Sequence, residues 1–313
     1  ESIWSSTCRP KERATLNGDI QADAVVIGGG MAGILTAYSL QRAGVRTVVL
    51  EAERIGGGQT KNTTAKITSQ HGMFCSSFIE KKGKDTAEKY MQANQQAVEE
   101  YKKIIRREKI DCDLEEADSF VYFDDEEKLI LEAEAAKELS VPSSLERNLE
   151  IPVSCAGAVR FDAQAQFHPL KFLSALAEGL TVYENSPVKE VEDDLVRTPC
   201  GTVRADKIIF ATHYPFVNFP GIYFTRMHQE RSYVLALEGA ERVKGMYIGS
   251  GPDALSFRQY GKYLLLGGKA HRTGENKEGG RYAELREAAR MLYPGSREAA
   301  CWSAQDCITA DQI

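Results

Sequence analysis

Apolar and polar positions follow two alternating periods along this chain. Ala24, Val25, Val26 and Ile27 form a short unbroken apolar run, the pattern of a strand buried on both faces. The run enters Gly28, Gly30 and Gly33 and then residues 34–43, whose apolar positions recur at helical spacing. After Gly44, residues 46–50 repeat the buried-strand pattern and stop at Glu51. Helical spacing returns over 85–109, with Tyr90, Ala97, Tyr101, Ile104 and Ile105 on one face, and over 126–139. Strand patterns are predicted at 119–123, 181–184, 188–191, 232–237, 246–248, 256–260 and 263–266, and at 201–205 running into 207–211. Gly261-Lys262 reads as the turn of a hairpin.

The spacing G-x-G-x-x-G between a strand and a helix assigns each glycine a task. Gly28 permits the tight turn, Gly30 lets a pyrophosphate approach the backbone, and Gly33 lets the helix pack close to the sheet. The helix start then offers unpaired N–H groups and a positive dipole end to phosphates. Glu51 closes the second strand roughly 20 residues on, where a carboxylate accepts hydrogen bonds from ribose hydroxyls and repels a 2′-phosphate. The pattern predicts an adenine dinucleotide other than NADP.

Residues 56–65 carry three glycines and a series of hydroxyl and amide side chains directly after the ribose acid, where NAD-dependent dehydrogenases usually enter another helix. Judged by its glycines alone, the segment would read as a flexible polar loop. Taken with what precedes it, the sequence resembles the D-amino-acid-oxidase-like FAD-dependent oxidoreductases, the group of glycine oxidase and sarcosine oxidase. Arg54, Gly57, Thr60, Asn62, Thr63 and Ala65 fall on that family's arginine, glycine turn and Ser/Thr–Asn segment. Residues 166–173, with Pro169 opening a helix, resemble another family segment. Val188 matches the position whose backbone meets the adenine, and Ala211-Thr212 matches an Ala-Thr-Gly in which His213 replaces the glycine. The resemblance implies FAD as cofactor, held by Gly28, Gly30, Met31, Ala32, Gly33, Glu51, Ala52, Arg54, Gly57, Thr60, Asn62, Thr63, Thr64, Ala65, Val188, Ala211 and Thr212.

Residues 301–311 resemble the family's Trp-x-x-x-x-x-x-Thr-Pro-Asp segment, with Ala310 for the proline. In the family a strand, a glycine turn and a last helix follow, so the chain is expected to be part of a longer protein. Residues 62–72 resemble a bacterial subgroup with a C-terminal Rieske domain, which would place a 2Fe-2S cluster outside these residues. Within them no metal site is expected: the seven cysteines are scattered, none of the five histidines pairs closely with a cysteine, and no Cys-x-x-Cys occurs. The cysteines read mostly as small buried hydrophobes without a full disulfide framework.

A net charge of −6 leaves no electrostatic footprint for nucleic acid. No apolar stretch is long enough for a bilayer span, and the start has no basic-then-apolar leader pattern, so a cytoplasmic protein is expected. With 313 residues, 42% of them hydrophobic, the chain is long enough for two lobes. The expected fold class is α/β: a Rossmann-like βαβ FAD-binding domain interleaved with an α+β substrate domain built on a small antiparallel sheet. Residues 18–80, 151–218 and 291–313 are assigned to the first, 81–150 and 219–290 to the second, and 1–17 to an N-terminal extension.

The resemblance implies oxidation of a small amine or amino acid by hydride transfer to flavin N5, with electrons passing to oxygen, a Rieske domain or another acceptor. An NAD-dependent dehydrogenase and a non-catalytic flavin electron-transfer module are the alternatives. Lys66 and His71 are the catalytic candidates: a cation near the flavin would stabilise its reduced anion, and a histidine suits proton transfer. Arg231, Tyr233, Arg258 and His271 lie on predicted strands of the substrate lobe, where an arginine could clamp a carboxylate. Basic residues over 102–107 read as a solvated helix face, and Tyr214, Phe216, Phe219 and Phe224 as either pocket wall or packing.

Overall fold

The central strand, Ile20–Ile27, follows directly from its apolar run: it is flanked in parallel by Gly201–Phe210 on one side and Thr47–Leu50 on the other. Its alternate side chains feed two apolar clusters. Val26 packs with Ile34 and Ala37 of the helix Met31–Arg42, while Val25 and Ile27 pack with Leu16, Val196 and Val203. The computed structural model describes residues 1–219, 221–251, 253–274 and 280–310. Asp311, part of the motif read at 301–311, lies outside them.

Six strands form this sheet, in the order Glu190–Glu192, Leu195–Thr198, Gly201–Phe210, Ile20–Ile27, Thr47–Leu50, Thr181–Tyr183. The strand patterns at 181–184 and 188–191, neighbours in sequence that look like a pair, do not pair with each other. Thr181–Tyr183 runs parallel to Thr47–Leu50 at one edge. Glu190–Glu192 folds back at the opposite edge onto Leu195–Thr198, through a turn in which Asp193 takes the left-handed φ of 46°. Sequence proximity favoured a hairpin, whereas the parallel register available beside Thr47–Leu50 decided the outcome. Pro169 does open a helix, Pro169–Ala177, with His168 as its cap.

The second sheet is larger than expected, with eight strands in the order Arg297–Thr309, Met227–Glu238, Tyr263–Arg272, Leu255–Tyr260, Met246–Gly249, Ser119–Phe123, Gly157–Phe161, Ser143–Glu146. All neighbours are antiparallel except Met246–Gly249 with Ser119–Phe123. Tyr260 faces Tyr263 across the two-residue turn at Gly261-Lys262, as the pattern predicted, and Gly261 has a left-handed φ of 54°. Gly157–Phe161 and Arg297–Thr309, grouped by sequence order with the dinucleotide elements, hydrogen-bond into this sheet instead. Their long-range partners are invisible to local pattern. A three-stranded patch of Lys66–Ile67, Ala165–Gln166 and Glu115–Glu116 lies in the connecting region. One apolar cluster includes Val26 and Val49 of the first sheet together with Val234, Leu265 and Trp302 of the second, so the two sheets share a core.

The helix Lys84–Arg107 buries Val98, Ile104 and Ile105 as its periodicity requires. Its basic end is not a uniformly solvated face: Lys102 is 2% exposed and donates to the Ala163 carbonyl at 2.6 Å and to Glu99 at 2.9 Å. Its long stem is buried while its ammonium finds two acceptors, which a charge pattern cannot reveal. Of the cysteines, Cys75 and Cys112 are buried, Cys8, Cys155, Cys301 and Cys307 half-buried and Cys200 exposed, all as free thiols. Fewer are core residues than their composition implied. Among the described residues no helix is long and apolar enough to cross a membrane.

Close packing of the first helix on its strand rests on Gly33, where an added Cβ would lie 1.9 Å from the Gly28 carbonyl oxygen. Both partners are backbone, so nothing nearby can rotate away. Gly33→Ala is expected to destabilise the chain by about 3 kcal/mol or more, read as a lowered urea midpoint. Gly179→Ala, with nothing within 4 Å of the new methyl, should stay within about 0.5 kcal/mol of the parent.

Candidate functional site

The strand end, the helix start and the crossing strand meet around the glycine turn. Gly28 has φ of 114°, and its N–H donates to the Leu50 carbonyl at 2.8 Å. A Cβ there would sit 2.4 Å from the Ala211 oxygen, because Ala211 crosses close enough to donate its own N–H to Ile27 at 2.8 Å. Gly30 differs from both other glycines: the one atom near its added Cβ is Thr60 Oγ1 at 3.5 Å, so its outer face is open. Gly30 is the N-cap of the helix Met31–Arg42 and supplies no side-chain acceptor. The Thr60 hydroxyl does so, accepting from the Met31 N–H at 3.0 Å.

Glu51 lies beside this turn, where its carboxylate accepts from the Gly29 N–H at 2.6 Å and the Glu53 N–H at 2.9 Å. A carboxylate has about four acceptor positions, so two remain. The buried Glu184 secures the next turn by accepting from the Ile55 N–H at 2.8 Å and the Arg13 N–H at 3.0 Å. Arg54 pairs with Glu184 at 2.9 Å and Glu12 at 2.7 Å, and also donates to the Pro10 carbonyl. Arg54 therefore ties three chain segments together.

A single cavity of about 1130 Å³ runs from this cradle into the region between the sheets. That exceeds the roughly 300–1,000 Å³ of ordinary small-molecule pockets. Of the residues singled out in the sequence, Gly28, Gly30, Met31, Ala32, Glu51, Thr60, Thr63, Ala65, Lys66, Ala211 and Thr212 line it. Gly33 supports it from behind through packing. Ala52, Arg54, Gly57, Asn62, Thr64, Val188 and His71 are not among its walls. Asn62 donates to the Gly58 carbonyl at 3.3 Å, and Val188 packs against the apolar cluster beneath the six-stranded sheet.

Beyond the cradle residues, the same cavity is lined by Lys66, Thr68, Asn94, Tyr101, Tyr214 and Asp306, among others. Asn94, Ala97, Val98 and Tyr101 share one helix face by their spacing, so the stripe read as core also forms a cavity wall. Asp306 was not singled out: it sits in a strand whose alternation was masked by the motif reading around it. Tyr214 and Phe219 line the cavity, whereas Phe216 packs against Phe210 and Phe224 is exposed.

Lys66 is half-buried, donates to Thr64 Oγ1 at 3.1 Å, and has its pKa lowered to about 7, by burial first and by repulsion from Arg258 second. The Asp306 carboxyl is raised above its ordinary value, mainly by the protein mass around it and further by Glu230, against the pull of His213. His71 lies outside the cavity with its rim exposed. It bonds the Thr68 carbonyl at 3.0 Å and Tyr90 Oη at 3.3 Å, and crowding lowers its pKa despite the bond to Thr68. Arg258 is 1% exposed and its four hydrogen bonds all go to carbonyl oxygens, those of Thr64, Ala65, Phe167 and the Gln166 side chain. Four of its five N–H groups are thus used within the protein, and it does not line the cavity to clamp a carboxylate there. Tyr233 is also buried, donating or accepting with His271 at 2.9 Å, and Arg231, Tyr233, Arg258 and His271 are all absent from the cavity walls.

The chain has relatives over its whole length. It is 34% identical to the Bacillus subtilis protein named "Putative Rieske 2Fe-2S iron-sulfur protein YhfW", over 100% of this chain and 65% of that protein. It is 29% identical to the gamma-glutamylputrescine oxidoreductase of Escherichia coli, over 63% of this chain and 50% of that protein. The chain thus spans less than two thirds of either relative. Its fold is shared with glycine oxidase from Geobacillus kaustophilus, at TM-score 0.76 and 17% identity over 94% of this chain and 84% of that one. It is shared equally with L-proline dehydrogenase from P. horikoshii, at TM-score 0.77 and 18% identity over 95% and 83%. The sequence profile described as "FAD dependent oxidoreductase" matches residues 23–312, and the chain belongs to that family.

Proposed function

We propose that the cavity holds FAD and that the protein oxidises a small amine or amino acid. The observation that carries this reading is that one cavity takes in both the glycine cradle and the polar groups of Lys66, Tyr101, Tyr214 and Asp306. The open face of Gly30 and the helix start at Met31 and Ala32 suit the pyrophosphate, and the two free acceptor positions of Glu51 suit ribose hydroxyls. Thr60, Thr63, Ala65, Ala211 and Thr212 would line the remainder. When bound, FAD would supply a two-electron oxidation of the carbon next to the amine nitrogen by accepting a hydride.

The chain's own contribution is placement, charge and exclusion of water. Lys66, poised near neutrality, can present either a cation or a neutral amine to the reacting end of the cavity. Tyr101 and Tyr214 offer polar tips on apolar walls. The electrons would pass to oxygen or, in a protein that carries one, to a Rieske 2Fe-2S cluster of the kind named for the Bacillus subtilis relative. The name of the Escherichia coli relative favours an amine donor. We place the boundary between cofactor and substrate lobes along the two large sheets, with 1–17 as an extension of the first.

Titrating the FAD-free protein with FAD should restore the flavin absorbance bands, whereas NAD should produce no saturable change. Glu51→Gln should weaken FAD binding roughly tenfold, through loss of charge-assisted hydrogen bonds. Loaded protein offered small primary and secondary amines and amino acids should bleach its flavin anaerobically with at least one class. A flavin that no amine or amino acid reduces would overturn the substrate assignment.

The lowered pKa of Lys66 has a signed consequence for stability. Folding removes the proton of Lys66 wherever the pH lies between about 7 and its ordinary 10.5, so the cost is full below pH 7 and fades as pH rises to 10.5. Lys66→Met in the FAD-free protein is expected to raise stability most at pH 6–7, the gain narrowing toward pH 10. Denaturant unfolding at three pH values reads it, and a gain that does not vary with pH contradicts the assignment.

A further inference from the structure

Four consecutive backbone carbonyls beside the cavity are each held by a side chain from elsewhere in the chain. Asn62 O accepts from the Trp302 indole N–H at 2.9 Å, and Thr63 O from the Trp4 indole N–H at 2.8 Å. Thr64 O and Ala65 O both accept from one guanidinium nitrogen of Arg258, the latter at 2.8 Å. Trp4 and Trp302 are 0% and 4% exposed, so all three donors are core residues. Two of them also meet: the Arg258 guanidinium lies 5.3 Å from the Trp4 ring, and 5.8 Å from the Tyr260 ring beside it, cation–π distances for both.

Such an arrangement has a cost that packing alone does not explain. Arg258 is buried with carbonyl oxygens as its hydrogen-bond partners, and burial pulls its pKa down to about 9. A buried charge without a bonded counter-ion is retained where its geometry does something an apolar side chain cannot. Here the planar fork reaches peptides 64 and 65 on one side and Gln166 and Phe167 on the other, joining the polar segment to the strand Ala165–Gln166. The segment needs external restraint, because Ala65 has a left-handed φ of 57°, unfavourable for a residue with a Cβ.

We infer that Trp4, Trp302 and Arg258 are positioning residues for the cofactor site, a carbonyl clamp that presents the opposite side of residues 62–66 to the cavity. With the oxygens turned into the core, Thr63, Ala65 and Lys66 form cavity wall. The clamp therefore presets the surface that meets the cofactor, and it makes the helix Ile3–Thr7 part of that surface's support. The inference rests on the FAD assignment for its consequence, though the clamp itself is a property of the protein alone.

The test separates the two. Trp4→Phe and Trp302→Phe keep an aromatic ring and delete the donor, leaving one buried carbonyl unpaired in each. Arg258→Lys keeps charge but cannot reach four acceptors with one ammonium. Hydrogen exchange followed by mass spectrometry on FAD-free protein should show residues 59–68 opening roughly fivefold to tenfold more readily in either Trp variant. Peptides covering Ile20–Ile27 should be unchanged. FAD affinity should weaken by a similar factor in the same variants, and more in Arg258→Lys. Unchanged local exchange, or a rise spread evenly over the whole chain, would overturn the clamp. Faster local exchange with unchanged FAD affinity would overturn its positioning role. FAD uptake by the parent is read in the same titration, so failure of the cofactor assignment shows in the parent rather than in the variants.

Discussion

Contact between backbones at Gly28, Gly33 and Ala211 is the constraint on which the rest of the structure depends. Three chain segments approach so closely there that a methyl at either glycine would overlap a carbonyl oxygen, at 1.9 Å for Gly33 and 2.4 Å for Gly28. This approach sets the helix on its strand, brings the crossing strand Gly201–Phe210 beside the turn, and aims the helix start at the cavity. A site for a phosphate-bearing ligand needs its N–H groups in fixed directions. Close packing without side chains achieves that more rigidly than rotatable groups could.

Around that junction the polar residues fall into two roles that composition cannot separate. Thr60 and Glu51 reach toward the turn and keep capacity facing the cavity. Arg54, Glu184 and Arg258 look equally suited to ligand chemistry, yet each spends its hydrogen bonds inside the protein. Glu184 gathers two N–H groups and Arg54, and Arg258 gathers carbonyls. For Glu184 and Arg258 burial explains the difference, because a charged group withdrawn from water must find its partners within the fold. Lys66 and Asp306, by contrast, stand at the cavity wall, where burial shifts their protonation toward neutral forms.

In this member of the FAD dependent oxidoreductase family both large sheets contribute to the cavity. The six-stranded sheet supplies the strand–turn–helix junction, while the larger, mostly antiparallel one contributes Met227 and Asp306 to the cavity. The shared core means that neither half of the cavity is set independently. The same fold in glycine oxidase and L-proline dehydrogenase comes with low identity, which leaves the chemistry to the residues on the walls.

By itself the sequence determined what depends on neighbours in the chain. The apolar run 24–27, the three glycines, the acid Glu51 that ends the second strand and the helical stripe on Lys84–Arg107 are local signals, since backbone strain and period act within a few residues. Only the tertiary structure decided where Thr181–Tyr183 and Arg297–Thr309 pair, that Lys102 is buried, and that Arg258 faces peptide carbonyls rather than a substrate. Those outcomes turn on contacts between residues far apart in the chain. Trp4 reaches Thr63 and Arg258 reaches Ala65 because the sheets bring them together, and no periodicity in the intervening sequence encodes that meeting.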